Sequence, residues 1–252
     1  MTGDDVSESE GRSGSYSRRA RIGLVVPAGT LLDREYWLLA GSAAEVYIAR
    51  TDHLEGGMTQ GRSIGLGQQE MVLPAVRQLM ATRPHVVAFA CTAGSFIGGL
   101  SGEAVLRHVI EKAGAPRGLT TSGALADALL SSGVRRVAVA TPYSMELTSK
   151  LRDFLGEAGV RVVASHALGL QDPNEVADLD ESAVAEMVAA ADRPNAEAVF
   201  LSCTNLPTVL QLGSLQAAIG KPVLSSNLVT MWAALRAAGQ ITRSDEILTA
   251  LR

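Results

Sequence analysis

Two thiols are the residues of this chain best suited to chemistry. Cys91 and Cys203 are its only cysteines, and each closes an apolar run. Residues 86–96 read VVAFACTAGSF and residues 198–207 read AVFLSCTNLP. In open α/β sheets, ligands bind outside the carboxyl ends of the strands. Two cysteines at two such ends therefore predict one cleft with a sulfur on each wall. A cysteine followed by threonine and a small residue can point its sulfur at the start of the next helix. Free amides and the helix dipole there favour the thiolate and lower its pKa. With the hydroxyls of Thr92 and Thr204, the same amides can cradle a carboxylate. A single buried cysteine is commonly just a small hydrophobe; two at matched places favour a function.

Other residues fall where such a cleft would be. Tyr143 follows the strand that ends at Pro142, so its hydroxyl can reach a substrate carboxylate, although a plain surface tyrosine reads almost as well. Asn205 offers a polar contact beside Cys203, or only an Asx-turn. Thr30 and Asn174 lie in loops expected to reach the same cleft, and for both an ordinary loop role is the stronger reading. The histidines His53, His85, His108 and His166 are scattered and show no partner by spacing, so no Cys–His pair is assigned. There is no GxSxG elbow, GxGxxG, GxxxxGK[ST], CxxC pair or zinc-ligand spacing. No metal or organic cofactor is expected.

The elements that must carry these residues alternate between strand and helix. Residues 21–27 (RIGLVVP) form a short apolar strand ended by Pro27, followed by a helix over 33–44 and a strand over 45–49. The glycine-rich stretch 56–67 reads as a mobile loop over the cleft. Helical spacing follows over 69–82, then the Cys91 strand, a helix over 102–113, a strand over 118–120 and a helix over 122–131. The second half repeats the order: strand 134–142, helix 145–158, strand 160–166, an irregular loop over 168–180, helix 181–191, the Cys203 strand, helix 209–219, strand 222–224 and helix 228–238. Pro27 and Cys91 are 64 residues apart, Pro142 and Cys203 are 61 apart. GAPRGLTTSGALADAL after the first thiol echoes GKPVLSSNLVTMWAAL after the second. These echoes favour duplication over generic βαβ repetition. The fold class expected is α/β: two pseudo-symmetric, doubly wound lobes with mainly parallel sheets and the active site between them. The divisions expected are a disordered tail over 1–20, lobes over 21–132 and 133–239, and a C-terminal helical extension over 240–252.

Composition narrows the function classes. The 252 residues are 47% apolar, enough for a sizeable core. A net charge of −4 and 4% aromatic residues provide neither a basic face nor a stacking surface for nucleic acid. No apolar run is long enough to span a membrane, and no secretory signal is evident. Two unpaired cysteines suit a reducing cytoplasm.

On GLVVPAG, ACTAGSF, RRVAVATPYS and LSCTNLP followed by GKPVLSSN, the chain resembles the aspartate/glutamate racemase superfamily. The resemblance runs over residues 21–239 and is strongest to the branch of maleate cis-trans isomerases and arylmalonate decarboxylases. It implies two lobes with the site between them, assembly as a homodimer or homotetramer, a small dicarboxylate substrate and no cofactor. It further implies Cys91 as nucleophile, Cys203 as acid/base partner, and substrate contacts from Thr92, Ala93, Tyr143, Thr204 and Asn205; Pro27, Thr30 and Asn174 are expected at the substrate from the placement of their loops. The decarboxylases carry glycine where Cys91 stands, which favours isomerisation of maleate to fumarate through a cysteine adduct. Racemases place histidine where Asn205 stands, and the isomerases place asparagine near Thr30. A two-cysteine racemase, a decarboxylase and a non-catalytic carboxylate-binding protein are the alternatives.

Overall fold

The computed structural model describes residues 19–240; the expected tail and C-terminal extension fall almost wholly on residues outside this range. Two four-stranded parallel sheets share one strand order. The first runs β2 (Ala44–Arg50), β1 (Ala20–Val26), β3 (Val86–Phe89), β4 (Gly118–Thr120). The second runs β6 (Arg161–Ala167), β5 (Arg136–Thr141), β7 (Ala198–Leu201), β8 (Val223–Ser225). The central strands β1, β3, β5 and β7 are nearly continuous Val, Leu, Ile, Ala and Phe, as strands covered on both faces require. The helices that follow β4 and β8 do the joining. They are α6 (Thr121–Ser131) and α11 (Ser226–Ala237).

α6 and α11 pack on each other, and each serves the other lobe's core. Leu125 and Leu129 of α6 lie in the cluster of Val137, Val139 and Phe200. Met231, Ala234 and Leu235 of α11 lie in the cluster of Ile22, Leu24 and Ala88. Residues Ser226 to Leu235 are all buried, so α11 is covered on nearly every side, as a helix between two layers must be. Each helix is capped by the last residue of the strand before it: Thr120 Oγ1 accepts from Gly123 N, and Ser225 Oγ from Leu228 N. A side-chain bond of 2.8 Å between Thr121 and Thr230 crosses the seam.

Two segments expected to be irregular contain helices. In the glycine-rich stretch, Thr59 caps α2 (Gln60–Leu66) by accepting from Arg62 N. The glycines there serve close approach: a Cβ on Gly67 would collide with the Gly94 carbonyl oxygen. In the stretch 168–180, Asp172 caps α8 (Pro173–Ala177), with Pro173 in the first turn. The remaining helices are α1 (Asp33–Ala40), α3 (Gln69–Met80), α4 (Thr92–Phe96), α5 (Gly99–Lys112), α7 (Met145–Glu157), α9 (Glu181–Ala191) and α10 (Leu212–Ile219). The helix expected over 209–219 begins as a 3-10 turn, Val209–Gln211.

Leu125→Ala tests the seam. It should destabilise the protein by about 2–5 kcal/mol in urea unfolding, because a fully buried leucine leaves a cavity. A cost below about 1 kcal/mol would show that α6 is not part of the second lobe's core.

Candidate active site

Cys91 and Cys203 line the same cavity, which lies between the lobes and measures about 60 Å³. Cys91 stands two residues past β3 and is the N-cap of α4. That short helix leaves the amides of Thr92 and Ala93 without intrahelical acceptors at the cavity wall. A Cβ on Gly94 would lie 3.1 Å from Cys91 Sγ and 3.2 Å from the Phe89 ring, so a side chain there would crowd the sulfur. No helix follows Cys203. Thr204 and Asn205 form a turn closed by the Leu206 amide donating to the Cys203 carbonyl at 3.3 Å. The Asn205 amide donates to Cys203 Sγ at 3.4 Å. Cys203 has φ of 153°, unusual for an L-residue.

Burial reverses the expected thiol acidity. Cys91 is 5% and Cys203 9% exposed. Desolvation pushes the Cys91 thiol up to about 12, against the opposing pull of the Gly94 amide; charge on Cys203 raises it, and the Arg62 guanidinium lowers it. Cys203 is also raised by burial, but it is helped back down by the Asn205 amide, the Tyr143 hydroxyl and Arg62. The expectation of thiols acidified by a helix start is therefore corrected: a few amide dipoles do not offset the loss of water. The cavity favours one negative charge over two, and Cys203 has the more hydrogen-bond support for it.

Tyr143 is buried, not a surface residue, and burial raises its pKa well above the ordinary tyrosine value. Phe96 of α4 meets it edge-on, centroids 6.2 Å apart, across the lobe boundary. Pro27, Thr30, Thr92, Ala93 and Thr204 also line the cavity. Asn205 does so with its side chain fully engaged: Oδ1 accepts from Leu31 N at 2.8 Å, and Nδ2 donates to Pro173 O at 2.8 Å and Gly29 O at 3.5 Å. It stitches the loop after β1 to the second lobe. Asn174 does not reach the cavity. It is exposed, bonds Asp172 Oδ1, and borders a neighbouring shallow pocket, while the preceding Pro173 takes the wall position.

Sequence reasoning missed two groups. Met58, Arg62, Ser63 and Leu66 close the cavity from α2 and its approach. A glycine-rich stretch has no periodicity that would announce this. The other is Glu35, a buried carboxyl on α1 that serves the opposite lobe. It accepts from the Thr208 and Val209 amides at 2.6 and 2.8 Å, from Thr208 Oγ1 at 3.3 Å and from Asn227 Nδ2 at 2.7 Å. Asn227 also holds the Thr204 carbonyl at 3.1 Å, so Glu35 braces the turn that carries Cys203. Among the described residues no group of three or more His, Cys, Asp or Glu is placed to hold a metal, and no helix is long and apolar enough to cross a membrane.

The chain matches the model of the arylmalonate decarboxylase family over residues 64–248. A maleate isomerase of Alcaligenes faecalis is 31% identical over 172 residues, covering 66% of this chain and 68% of that protein. An arylmalonate decarboxylase of Bordetella bronchiseptica is 30% identical over 172 residues, covering 68% and 72%. A crystal structure of a liganded double mutant of arylmalonate decarboxylase superposes with a TM-score of 0.79 at 27% identity, covering 87% of this chain and 93% of that one. A maleate isomerase of Pseudomonas putida S16 shares the fold with a TM-score of 0.79 at 24% identity, covering 88% and 94%.

Two outcomes follow from the site. Glu35→Ala strands several buried donors and should cost about 2–4 kcal/mol of stability in urea unfolding. In the free protein, iodoacetamide labelling of Cys91 should climb about tenfold per pH unit, because below its pKa the thiolate fraction does so. With the thiol at about 12, labelling followed by peptide mass spectrometry should show no plateau up to pH 10. Levelling near pH 9 would contradict the burial effect.

Proposed function

The chain belongs to the arylmalonate decarboxylase family, and from that premise we propose that it isomerises maleate, or a closely related unsaturated dicarboxylate, to the trans isomer through a Cys91 adduct. The observation that carries this reading is the pairing of Cys91 with Cys203 in one small cavity between the lobes. About 60 Å³ offers a handful of water-sized positions at roughly 10–15 Å³ each. That space is compatible with a small four-carbon acid.

In this mechanism Cys203, supported by Tyr143 and Asn205, carries the first negative charge. It takes the proton from Cys91 as the Cys91 sulfur adds to C2 of the alkene. The π pair moves to C3 and into the carboxylate that C3 bears, where the Thr92 and Ala93 amides stabilise it as an oxyanion hole would. Cys203 returns its proton to C3 and later retakes it. Between these steps the new C2–C3 single bond rotates. Elimination restores the Cys91 thiolate and releases fumarate, and reprotonation of Cys91 from Cys203 completes the cycle. Atoms and charge balance without a redox partner.

Decarboxylation of a small substituted malonate is the second reading, favoured by the family match and the Bordetella bronchiseptica relative. Proton NMR of the protein with maleate in D₂O separates the two. Fumarate signals should grow for the isomerase, whereas methylmalonate should give propionate for the decarboxylase. Cys91→Ser should abolish turnover and adduct. Cys203→Ser should slow turnover about 10²–10⁴-fold, as loss of acid–base help does. A maleate adduct on the Cys91→Ser protein, with none on Cys203→Ser, would falsify the division of roles.

A further inference from the structure

Among the described residues, Arg62 is the single charged side chain lining the cavity. It belongs to the first turn of α2, and its Nε donates to the Leu54 carbonyl oxygen at 3.0 Å, which fixes one edge of the guanidinium. None of the ion pairs among the described residues uses it. A guanidinium has five donors in a rigid fork, and the tether to Leu54 uses one of them. Arg62 also borders the shallow outer pocket that contains Gly29, Pro173 and Asn174, so it stands in the wall between the cavity and the exterior.

A dicarboxylate confined beside Cys91 needs support at both ends. The Thr92 and Ala93 amides serve the end where charge develops. For the other end the wall offers the Thr30 and Thr204 hydroxyls and this one cation. Two anionic groups in a cavity with buried thiols would otherwise face an uncompensated desolvation cost. We infer that Arg62 is a specificity-determining residue: its free guanidinium edge holds the substrate carboxylate that does not take up developing charge, and so selects dicarboxylates over monocarboxylates. This rests on reading the cavity as a dicarboxylate site. It also bears on the chemistry, because a carboxylate leaving as CO₂ loses its charge, and a cation paired with it would stabilise the ground state more than the transition state. A clamp of this kind suits a reaction in which both carboxylates survive.

The test uses binding, not turnover. Succinate and butyrate are titrated calorimetrically into the wild-type protein, Arg62→Gln and Arg62→Lys, each checked for a native melting transition. Wild type should prefer succinate. Arg62→Gln should weaken succinate about 10–100-fold, as loss of a charge-assisted hydrogen bond does, and leave butyrate unchanged. Arg62→Lys should recover most of the preference. If Arg62→Gln does not fold, Arg62→Met replaces it in the same comparison. A wild type that does not prefer succinate, a neutral variant that keeps the preference, or a lysine variant no better than the neutral one overturns the assignment. Failure of the wild type to convert maleate, with this binding pattern intact, overturns the isomerase reading and leaves the clamp standing.

Discussion

One hydroxyl ties the two thiol loops together. Ser226 Oγ, at the start of α11, accepts from Thr92 Oγ1 at 2.8 Å and from the Cys203 amide at 3.0 Å. The residue after one cysteine and the backbone of the other are therefore referenced to a single atom. That atom can sit there only because α11 crosses from the second sheet into the first lobe's core. A buried hydroxyl so placed has little freedom, since lost bonds in a dry seam are not replaced by water. The small residues around it, Ser122, Thr121 and Thr230, let the helices approach and bond across.

The lobes repeat a design and then depart from it where the thiols lie. Ser122 Oγ donates to the Thr92 carbonyl at 3.0 Å, and Asn227 Nδ2 donates to the Thr204 carbonyl at 3.1 Å. Both residues follow strand-capped helix starts, so each lobe pins the residue after its cysteine in the same way. Beyond that point α4 follows Cys91, whereas a turn braced by Glu35 follows Cys203. The helical side leaves a pair of amides facing the cavity. The turn side directs an amide and a tyrosine hydroxyl at the sulfur. A pseudo-symmetric pair of thiols is thereby given unequal surroundings, the condition for unequal roles.

Burial sets the terms of this site. Enclosure between the lobes raises both thiols, which disfavours a thiolate on either sulfur. The same enclosure strengthens every hydrogen bond and charge that remains. It explains why so many polar groups here are cross-bonded: Asn205 to the 29–31 loop and to Pro173, Glu35 to the 208–209 backbone, Met58 N to Gln171 O at 2.9 Å across the lobe boundary. A cavity between two rigid sheets stays closed only if the loops over it are stitched to both.

The apolar runs ending at Pro27, Cys91, Pro142 and Cys203 were legible because a strand covered on both faces leaves a local mark, a short stretch of Val, Ile, Leu and Ala stopped by a breaker. The near-equal spacings, and the echo between the stretches that follow the two thiols, likewise carried the repeat and pointed to the residues beside each sulfur. Other features were decided at long range. Glu35, in the first turn of α1, looks locally like a carboxylate complementing a helix dipole; only the fold brings the 208–209 amides to it. Arg62 lies in a stretch whose glycines suggest a loop, and its helix depends on Gly67 meeting Gly94. Pro173 rather than Asn174 reaches the wall because a one-residue step on a helix turns a side chain by about 100°. The thiol acidity was misread for the same reason: the amides at a helix start can be read from neighbours in sequence, but the loss of water comes from both lobes together.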